Sequence, residues 1–435
     1  MEGEDRLEHK KTEKERLIFH VDVNSAYLSW EAAKRVEEGK EDIRRIPAAI
    51  GGDREKRTGI ILAKSIPAQQ YGVTTGEPVS LALRKCPELL LVPPDFSLYE
   101  KNSRAFMDIC RKYAPVLQKF SVDECFLDMT GTELIYPDPV ELAHRIKNEV
   151  RDTLGFTVNI GIGSNKLLAK MASDFEKPDK VHTLFLGEIR EKMWPLPVGE
   201  LLYVGKTSKQ KLLDAHIKTI GDLAESELAF IQRILGEKGG KQAYEYANGI
   251  DPSPVSEEPE EPKGYSISTT LEEDVTTLEQ AGAVFLSLVD SVARRMRADD
   301  AKAYCIGITI RFSKIANSRG NTPSQRFTNK SHQRKFQVAT DVTNEIYRIS
   351  MELFKELWHG EPLRLLGVSL TDLTKDGYEQ LSLFSDGQRE KARKLDAAMD
   401  SLRDKYGSDI IFRAGAADGE RVGRKYRAQL ENEKE

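Results

Sequence analysis

The hydrophobic pattern before residue 251 alternates short apolar runs with longer amphipathic segments. Runs rich in β-branched and aromatic residues predict buried strands, and apolar residues spaced three and four apart predict helices. The order of these segments favours a βαββαβ plan of split units around an antiparallel sheet. The predicted strands are Leu17–Val23, Ile46–Gly51, Gly59–Leu62, Phe120–Met129 and Phe156–Ile162, and the predicted helices are Ser25–Glu38, Pro78–Arg84, Phe96–Val116, Pro139–Thr153 and Asn165–Phe175.

Two of the predicted strands, whose ends can lie side by side in such a sheet, carry acidic residues. Asp22 lies in the first strand, and Asp123 and Glu124 lie in the run Phe120–Met129. Burying a carboxylate in an apolar run is costly unless a positive charge neutralises it. A pair of divalent metal ions would supply that charge, and such a pair is the usual requirement for moving a phosphoryl or nucleotidyl group. The remaining motifs decide whether this interpretation holds.

The length and composition are those of an ordinary soluble protein with two to four domains. The chain has 435 residues, of which 39% are hydrophobic and 31% charged. No apolar run approaches the length of a membrane span, and no hydrophobic signal stretch follows Met1. The cysteines are widely spaced without a CxxC pair, which favours reduced core residues over a disulfide frame or a zinc site: Cys86, Cys110, Cys125 and Cys305. We expect a cytoplasmic protein.

The net charge of −5 hides a basic segment. Asp290–Phe336 contains eleven Lys and Arg residues against three acids, a local balance of +8. Within it, Tyr304–Arg311 alternates like a strand and leads into a basic loop rich in Ser, Asn and Gly. Such a loop suits contacts with phosphates, although a basic run is often only a solvated surface. The DNA-binding candidates here are Arg311, Lys314 and Arg319.

Composition also marks two boundaries. Asp251–Pro262 is rich in Pro and acid without periodicity, which predicts an extended linker between domains. Residues 195–236 form a separate helical module in which Tyr203-Val-Gly205-Lys206 resembles a helix-hairpin-helix turn. In that motif a Gly turn opens a helix whose N-terminal amides can hold a DNA phosphate, so Gly205 and Lys206 are further DNA-binding candidates. The usual hairpin carries Gly-x-Gly, and Tyr203 stands in place of the first Gly.

Three motifs together carry a specific family resemblance. His20–Glu31 resembles the opening motif of the Y-family DNA polymerases, the translesion enzymes. Ser121–Asp128 is similar to their Ser-x-Asp-Glu palm motif, and Gly161–Pro178 resembles the strand and helix that follow. Order and spacing agree across roughly residues 17–385, and the chain looks closest to the bacterial DNA polymerase IV branch.

The resemblance implies an α+β multidomain fold, a right-hand polymerase with a ferredoxin-like palm, small fingers, a helix-hairpin-helix thumb and a C-terminal α/β little finger. The expected boundaries are a flexible tail at 1–16, the palm at 17–45 and 95–190, the fingers at 46–94, the thumb at 191–250, the linker at 251–262, the DNA-binding little finger at 263–378, and a clamp-binding peptide with a helical tail at 379–435.

The same resemblance assigns roles in catalysis. Asp22, Asp123 and Glu124 would hold two Mg²⁺ ions, with the backbone carbonyl of Val23 as a further ligand. Hard oxygen ligands without His or Cys suit Mg²⁺. The plain alternative is a strand-end cap at Asp22 and a surface pair at Asp123 and Glu124.

Nucleotide-binding roles follow from the same motifs. Tyr27 would be the steric gate that excludes a ribose 2′-hydroxyl, unless it is only a core aromatic residue. Lys177 would contact the incoming triphosphate, and Lys170 lies near the same surface. Each lysine could instead be a solvated side chain.

The fingers depart from the family pattern. The family usually has a Tyr-x-x-Arg pair that holds the β and γ phosphates, and Ile66 and Gln69 stand at those places here. An apolar side chain and a neutral amide cannot replace a bidentate guanidinium. Lys64, Lys56 and Arg57 are candidates to compensate. Without compensation, nucleotide affinity should be low.

A short element near the C-terminus, Gln380-Leu-Ser-Leu-Phe384, resembles the pentapeptide that binds the bacterial sliding clamp. Gln380 would hydrogen-bond at the pocket rim while Leu383 and Phe384 fill an apolar cleft. The implied partners are primer-template DNA, deoxynucleoside triphosphates and the clamp, with no membrane and a monomeric chain. An amphipathic helix is predicted at Asp386–Tyr406, without a derived role.

Three functions are compatible with these observations. The first is a template-directed DNA polymerase for damaged templates. The second is a catalytically weak or inactive relative bound to clamp and DNA, which Ile66 and Gln69 suggest. The third is another two-metal enzyme, a nuclease or cyclase, against which the thumb-like module, the linker and the clamp peptide argue.

Overall fold

The computed structural model describes residues 16–52, 59–258, 261–313, 329–375 and 386–415. These residues divide into two compact units. The first takes in most of the described residues up to position 258, and the second takes in those from position 261 onward. No helix in this described part of the chain is long and apolar enough to span a membrane.

Up to residue 258, the helices and strands follow the predicted alternation. In chain order they are β1 (Ile18–Val23), α1 (Ala26–Glu37), β2 (Ala48–Gly51), β3 (Ile61–Lys64), α2 (Ile66–Gln70), α3 (Val79–Lys85), β4 (Leu90–Val92), α4 (Phe96–Arg111), β5 (Val116–Lys119), β6 (Glu124–Asp128), α5 (Pro139–Leu154), β7 (Val158–Gly163), α6 (Lys166–Ser173), β8 (Val181–Leu184), α7 (Lys206–Asp214), α8 (Ile220–Ala224), α9 (Leu228–Leu235) and α10 (Glu237–Ala247).

The main sheet of the first unit has the strand order β5-β6-β1-β7-β8. All neighbours are antiparallel except β7 and β8, which are parallel. The strands β1, β5, β6 and β7, with α1 and α5 between them, make a ferredoxin-like βαββαβ arrangement. The central strand β1 is buried at all six positions, and the predicted proximity of the two acidic strands is confirmed because β1 pairs directly with β6.

The two faces of β1 pack against different partners because successive strand residues alternate. Phe19, Val21 and Val23 belong to the core that contains helices α1, α4 and α5. On the opposite face, His20 Nδ1 lies 2.8 Å from the hydroxyl of Ser173 at the end of α6. A Cβ added at Gly161 of β7 would lie 2.0 Å from the carbonyl oxygen of Ala169, so the backbone of α6 rests directly on the sheet.

Two predicted boundaries are wrong. The helix predicted at Phe96–Val116 ends at Arg111, and Val116 opens strand β5, because Pro115 cannot continue a helix. The strand predicted at Phe120–Met129 begins only at Glu124. The backbone amides of Phe120 and Ser121 both donate to the carbonyl of Glu124, at 3.0 and 3.1 Å, and so form a tight turn between β5 and β6.

A smaller three-stranded sheet, β3-β2-β4, lies in the segment predicted as fingers. Ser65 follows β3 and caps the short helix α2, since its hydroxyl accepts the amide of Ala68 at 3.1 Å. Pro67 in the first turn suits the start of a helix. This cap places residues 66 and 69 on the exposed side of α2.

The helical module contains α7 to α10 around a core that includes Leu212, Ile220 and Ile231. Gly205 is the N-cap residue of α7, as the hairpin resemblance predicts. Tyr203 has φ +66, the left-handed backbone conformation that favours glycine. The tyrosine that stands in place of the first Gly therefore adopts a backbone conformation that suits glycine.

The described part of the predicted linker lies along the first unit. Val255 is buried against Ile18 and Ala169. The carboxylate of Asp251 accepts the amide of Leu167 at 3.2 Å, and the guanidinium of Arg16 donates to the carbonyl of Ser253 at 3.1 Å. Residues 251–258 are therefore an attached strap rather than a plain tether, because they supply a cap to α6 and an apolar contact to β1.

The second unit repeats the βαββαβ order and adds a final helix. Its elements are β9 (Gly264–Val275), α11 (Leu278–Ala298), β10 (Lys302–Phe312), β11 (Asn329–Thr340), α12 (Thr343–Leu357), β12 (Leu363–Thr374) and α13 (Asp386–Tyr406). The sheet order is β11-β10-β12-β9, with all neighbours antiparallel. The predicted strand at Tyr304–Arg311 and the predicted helix at Asp386–Tyr406 are both confirmed. All four cysteines of the chain are buried free thiols, as expected.

Candidate active site

The backbone brings the three predicted acidic residues together. Asp22 on β1 is the register partner of Glu124 on β6. The amide of Val23 donates to the carbonyl of Asp123 at 3.0 Å, which ties the turn before β6 to the end of β1. The predicted carboxylates therefore lie on two adjacent strand ends. The side chain of Asp22 is buried, and those of Asp123 and Glu124 are partly buried.

Two lysines pair with these carboxylates. The ammonium of Lys177 contacts the carboxylate of Asp22 and also lies 2.8 Å from Asp174. The ammonium of Lys170 contacts Glu124 and lies 3.6 Å from Asp174. Sequence reasoning placed both lysines near the nucleotide but missed these ion pairs.

Asp123 forms a different contact. Its carboxylate accepts a hydrogen bond of 2.6 Å from the hydroxyl of Ser121, two residues earlier in the turn. No ion pair between Asp123 and a cation is found among the described residues. Two lysines therefore pair with three acids, Asp22, Glu124 and Asp174, and the fourth acid, Asp123, has neither of them as an ion-pair partner.

The electrostatics follow from this imbalance. Burial raises the pKa of Asp22 against the opposing effect of Lys177. Burial also raises the pKa of Asp123, and the neighbouring Asp22 adds to that increase. Although burial acts to lower the pKa of Lys177, the carboxylates of Asp22 and Asp174 raise it to about 12, so this lysine is protonated at neutral pH. The acidic cluster is thus incompletely neutralised by the protein itself.

The donor set fits a hard divalent cation by its chemistry, since it offers carboxylate oxygens in a partly buried, electron-rich position. Among the described residues, no three His, Cys, Asp or Glu side chains are gathered closely enough to hold a metal ion as they stand. Asp22 and Glu124 instead face their lysines. Metal binding would therefore require these side chains to turn from the ammonium groups toward a shared centre.

Tyr27 lies in the first turn of α1, and its ring is partly buried. The ring stacks on Tyr99 of α4 with centroids 4.6 Å apart and an angle of 25° between the planes. Phe96 and Trp30 meet the same ring edge-on, at 6.3 and 5.8 Å. The residue that precedes this helix, Ser25, has a left-handed backbone with φ +48, which directs the chain from β1 into α1.

The aromatic support under Tyr27 was missed at the level of the sequence. Tyr99 is almost fully buried, and burial raises the pKa of its hydroxyl well above the ordinary value. The signal was the apolar face of the helix predicted from Phe96 onward. That pattern identifies a core helix but does not say which ring its residues touch.

The fingers residues lie where the resemblance predicts. Ile66 is 57% exposed and Gln69 is exposed on the same side of α2, and Lys64 at the end of β3 is partly buried. An exposed apolar side chain and an amide offer no cation here. Lys56 and Arg57 lie outside the described residues.

The candidate DNA contacts are only partly described. Gly205 and Lys206 begin α7, and Lys206 is exposed. In the second unit, Arg311 lines a groove of about 450 Å³ on the open face of the sheet, together with Arg295 and the hydroxyls of Ser266, Ser268, Thr309 and Ser369. Lys314 and Arg319 lie outside the described residues, as do Gln380, Leu383 and Phe384 of the predicted clamp peptide.

Comparisons with known proteins agree with this geometry. Residues 21–174 match the impB/mucB/samB family, residues 262–383 match the C-terminal domain of that family, and residues 200–251 match a DNA polymerase-iota thumb domain. A solved Y-family DNA polymerase chimera superposes with a TM-score of 0.69 at 20% identity, over 83% of this chain and 100% of that one. The right-hand fold with a helix-hairpin-helix thumb is thereby confirmed.

The chain belongs to the Y-family DNA polymerases. Within them, it is 43% identical over 400 residues to a DNA polymerase IV of Clostridium acetobutylicum, a match that covers 92% of this chain and 98% of the relative. It is 37% identical over 408 residues to DNA polymerase IV 1 of Bacillus subtilis, covering 93% of each chain. The protein is accordingly a DNA-directed DNA polymerase of the translesion class, and enzymes of this family depend on divalent metal ions.

Proposed function

We propose that the strand ends bearing Asp22, Asp123 and Glu124 form the nucleotidyl-transfer centre, and that they hold two Mg²⁺ ions together with the backbone carbonyl of Val23. The observation that supports this proposal is the pairing of Asp22 with Glu124 across β1 and β6, in a cluster with more carboxylates than cations. The bound ions would activate the primer 3′-hydroxyl and stabilise charge on the transferring phosphoryl group.

The two lysines act first as internal counter-ions and then as ligands of the nucleotide. Lys177 is protonated at neutral pH and reaches the same carboxylate that the metal needs. When the carboxylate of Asp22 turns toward a metal ion, the ammonium of Lys177 is released to bind the triphosphate of the incoming nucleotide. Lys170 lies on α6 and pairs with Glu124 as Lys177 pairs with Asp22, so it is a second candidate for contact with the nucleotide.

Tyr27 sets sugar selectivity by exclusion. Its ring is held from below by Tyr99 and from the side by Phe96, so it cannot easily yield to a 2′-hydroxyl. We expect Tyr27→Ala to admit ribonucleotides with little loss of deoxynucleotide addition, since removing a steric barrier relaxes selectivity before it harms rate. Unchanged sugar discrimination in primer extension would make Tyr27 a packing residue only.

Primer-template DNA would contact both units. Gly205 and Lys206 offer amides and a cation at the start of α7, and Arg311 offers a cation on the open sheet face, with Lys314 and Arg319 beyond the end of β10. The pentapeptide Gln380–Phe384 would attach the polymerase, as a monomer, to a bacterial sliding clamp. Replacing Leu383 and Phe384 by Ala should abolish clamp binding in a pull-down while extension without clamp is unchanged.

The direct test is primer extension opposite normal and damaged template bases, with and without Mg²⁺. We expect template-dependent addition that requires the metal, and a loss of addition in Asp22→Asn, which keeps the size of the side chain and removes its charge. Mn²⁺ binding measured by electron paramagnetic resonance should fall in the same variant. Full extension by Asp22→Asn would contradict the metal assignment, and no extension by the wild type would favour the inactive, clamp-bound alternative.

A further inference from the structure

Two buried asparagines next to the acidic cluster hold the segment that carries Lys177. Asn159 on β7 is fully buried and is the register partner of Asp22. Asn24 lies two residues beyond Asp22 and is almost fully buried. The amide of Asn24 donates to the side-chain oxygen of Asn159 at 3.1 Å, so the two side chains form one unit across the sheet.

This amide pair binds the backbone on both sides of Lys177. Before the lysine, the amide of Asn159 donates to the carbonyls of Ser173 at 3.0 Å and Glu176 at 2.6 Å. After the lysine, the backbone amide of Lys180 donates to the oxygen of Asn159 at 3.2 Å. The backbone amide of Asp179 donates to the oxygen of Asn24 at 3.0 Å.

The hydrogen-bonding capacity of the two side chains is largely consumed by this arrangement. Both N–H groups of Asn159 are used and its oxygen accepts twice. The oxygen of Asn24 accepts a second hydrogen bond, from the hydroxyl of Thr157, at 3.0 Å. Together the two buried asparagines satisfy four backbone groups of the segment, which is specific for one loop conformation because any other conformation would leave buried polar groups unpaired.

The held conformation includes a strained position. Asp179 has φ +62, the left-handed region that non-glycine residues rarely adopt, and it comes two residues after Lys177. Lys147 of α5 fixes the same residue from the other side, through its carbonyl at 3.1 Å and its carboxylate at 2.9 Å. The segment is therefore restrained at each end, while the side chain of Lys177 itself is 36% exposed and reaches Asp22.

We propose that Asn159, together with Asn24, is a positioning residue for nucleotide binding: it holds the backbone of residues 173–180 so that Lys177 meets the triphosphate in a preset place. This inference rests on the proposed role of Lys177. A lysine on a fixed backbone loses less conformational freedom on binding than one on a loose loop, and the difference appears as nucleotide affinity. The effect of Asn159 should therefore depend on the presence of Lys177.

A double-mutant cycle tests this dependence. The variants are Asn159→Ala, Lys177→Ala and the combination, and the readout is the apparent Kd for the nucleotide and the maximal rate from single-turnover primer extension with the full chain. We expect Lys177→Ala to raise the Kd about tenfold, as for loss of a charge-assisted contact. Asn159→Ala should raise it roughly three- to tenfold, and should add less than about twofold in the Lys177→Ala background.

Two controls separate positioning from general destabilisation. Ile162→Val lies on the same strand and is fully buried, so it removes core packing without touching the segment; we expect an unchanged Kd. If Asn159→Ala does not fold, Asn24→Ala replaces it in the cycle, since it removes only the contact with Asp179 from the held segment.

Each outcome has a distinct meaning. The positioning role would be overturned if the fold-changes in Kd of the two single variants multiply in the double variant. It would also be overturned if Asn159→Ala leaves the Kd unchanged while Lys177→Ala raises it. Both results would leave the role of Lys177 intact. An unchanged Kd in Lys177→Ala would overturn the role of the lysine and the positioning inference with it.

Discussion

Each unit of the described chain contains a cluster of buried and partly buried carboxylates, and the two clusters are neutralised differently. In the first unit, Asp22 and Glu124 share two lysines with Asp174, and Asp123 accepts a hydrogen bond from Ser121 instead. In the second unit, three aspartates of α11 and α13 face three arginines. Arg403 lies 2.6 Å from Asp290, Arg413 contacts both Asp290 and Asp396, and Arg297 lies 2.7 Å from Asp400.

The pKa directions express the same contrast. Burial would raise the pKa of Asp290, but Arg403 and Arg413 hold it below the ordinary value. In the acidic cluster of the first unit, burial prevails and the pKa values of Asp22 and Asp123 are raised. The carboxylates of the second unit are neutralised by their arginines without any added charge, whereas those of the first unit are not fully neutralised by their lysines.

The difference separates a structural cluster from a functional one. Arginine is permanently charged and its planar fork binds carboxylates in a fixed geometry, whereas a lysine ammonium is a compact charge on a flexible stem. The arginines dock α13, and with it residues 386–415, onto α11 of the little finger. The C-terminal helix thereby has a structural role, which the sequence left open. The lysines leave a charge deficit that a metal ion can complete.

The largest expected effect comes from removing a carboxylate of the incomplete cluster. Asp123→Asn should lower single-turnover extension at least about 10³-fold, roughly 4 kcal/mol of transition-state stabilisation, because an amide cannot replace a charged metal ligand. The free energy of unfolding should stay the same or rise, since the pKa of Asp123 is already raised by burial. Urea denaturation of the same preparations measures the second quantity.

Asp128→Asn is the matched control on the same strand. Asp128 accepts the backbone amide of Thr130 at 3.0 Å, and an amide oxygen can accept that hydrogen bond equally well. We expect normal extension in this variant. If Asp123→Asn extends primers as well as Asp128→Asn does, the first cluster is not the catalytic one and the contrast with the second unit fails.

The complete cluster should respond in the opposite way, in stability rather than in chemistry. Arg403 is 3% exposed, and Arg403→Ala leaves Asp290 buried with one partner fewer. Breaking a buried pair from one side typically costs about 3–5 kcal/mol. Native-state hydrogen exchange of amides in α11 and α13 measures this loss within the second unit.

Arg294→Ala is the comparison for that experiment. Arg294 lies on α11, the helix that carries Asp290, and pairs at 2.7 Å with Asp404 of α13, which is 70% exposed. A pair with an exposed partner contributes at most about 1 kcal/mol. If Arg403→Ala and Arg294→Ala lose equal amounts of protection against hydrogen exchange, the buried arginine pairs contribute no more to the docking of α13 than an exposed pair does.

The third prediction concerns an arginine introduced into the first unit, where lysines are the ion-pair partners of the acidic cluster. Ile66→Tyr combined with Gln69→Arg restores the family pattern on the exposed side of α2. It should lower the nucleotide Kd about tenfold, since a charge-assisted contact contributes roughly 1.5–3 kcal/mol. Nucleotide titrations in single-turnover extension measure the change.

Gln70→Arg is the control for added charge alone. Residue 70 is also exposed on α2, but its side chain points about a quarter turn away from that of residue 69. An equal gain in Gln70→Arg would reduce the effect to nonspecific attraction. If neither variant changes the Kd, the site already has a substitute cation, and Lys64→Ala should then weaken nucleotide binding.

The sequence predicted what depends on local pattern and on motif. Strand β1, helix α5 and the adjacency of Asp22 to Glu124 follow from periodicity and from the βαββαβ order. The end of α4 was predictable in principle, since Pro115 stops a helix, but the apolar spacing through Val116 concealed it.

Long-range pairings were not predictable in this way. The partner of Arg403 is 113 residues away, and the contact of Lys177 with Asp22 spans 155 residues. The sequence of α13 predicts an amphipathic helix but does not identify the helix against which it packs. Asn159 likewise stands in a strand pattern as an ordinary polar residue, and only the packing of residues 173–180 against β7 gives it a role.

The smallest expected effect is a difference of sign in pH dependence between the two clusters. The pKa of Asp290 is lower in the folded chain than the value of about 3.9 for an unfolded aspartate. Its contribution to stability is therefore fully present above the unfolded pKa and is lost as the pH falls through the folded pKa. The stability difference between the wild type and Asp290→Asn should stay constant from about pH 7 to 5 and shrink below about pH 4.

Asp123 should show the reverse slope. Its folded pKa is raised, so the folded chain takes up the proton more readily than the unfolded chain, and the carboxyl favours folding most at pH values below its unfolded pKa. The wild type should therefore gain stability relative to Asp123→Asn as the pH falls from about 7 toward 4, by about 1.4 kcal/mol for each unit of pKa difference. Both differences are measured by hydrogen exchange or urea denaturation with a chelator present, so that metal binding does not contribute. Slopes of the same sign would show that the two clusters are neutralised alike, and the inference that the charge deficit of the first cluster marks it as the metal site would then be wrong.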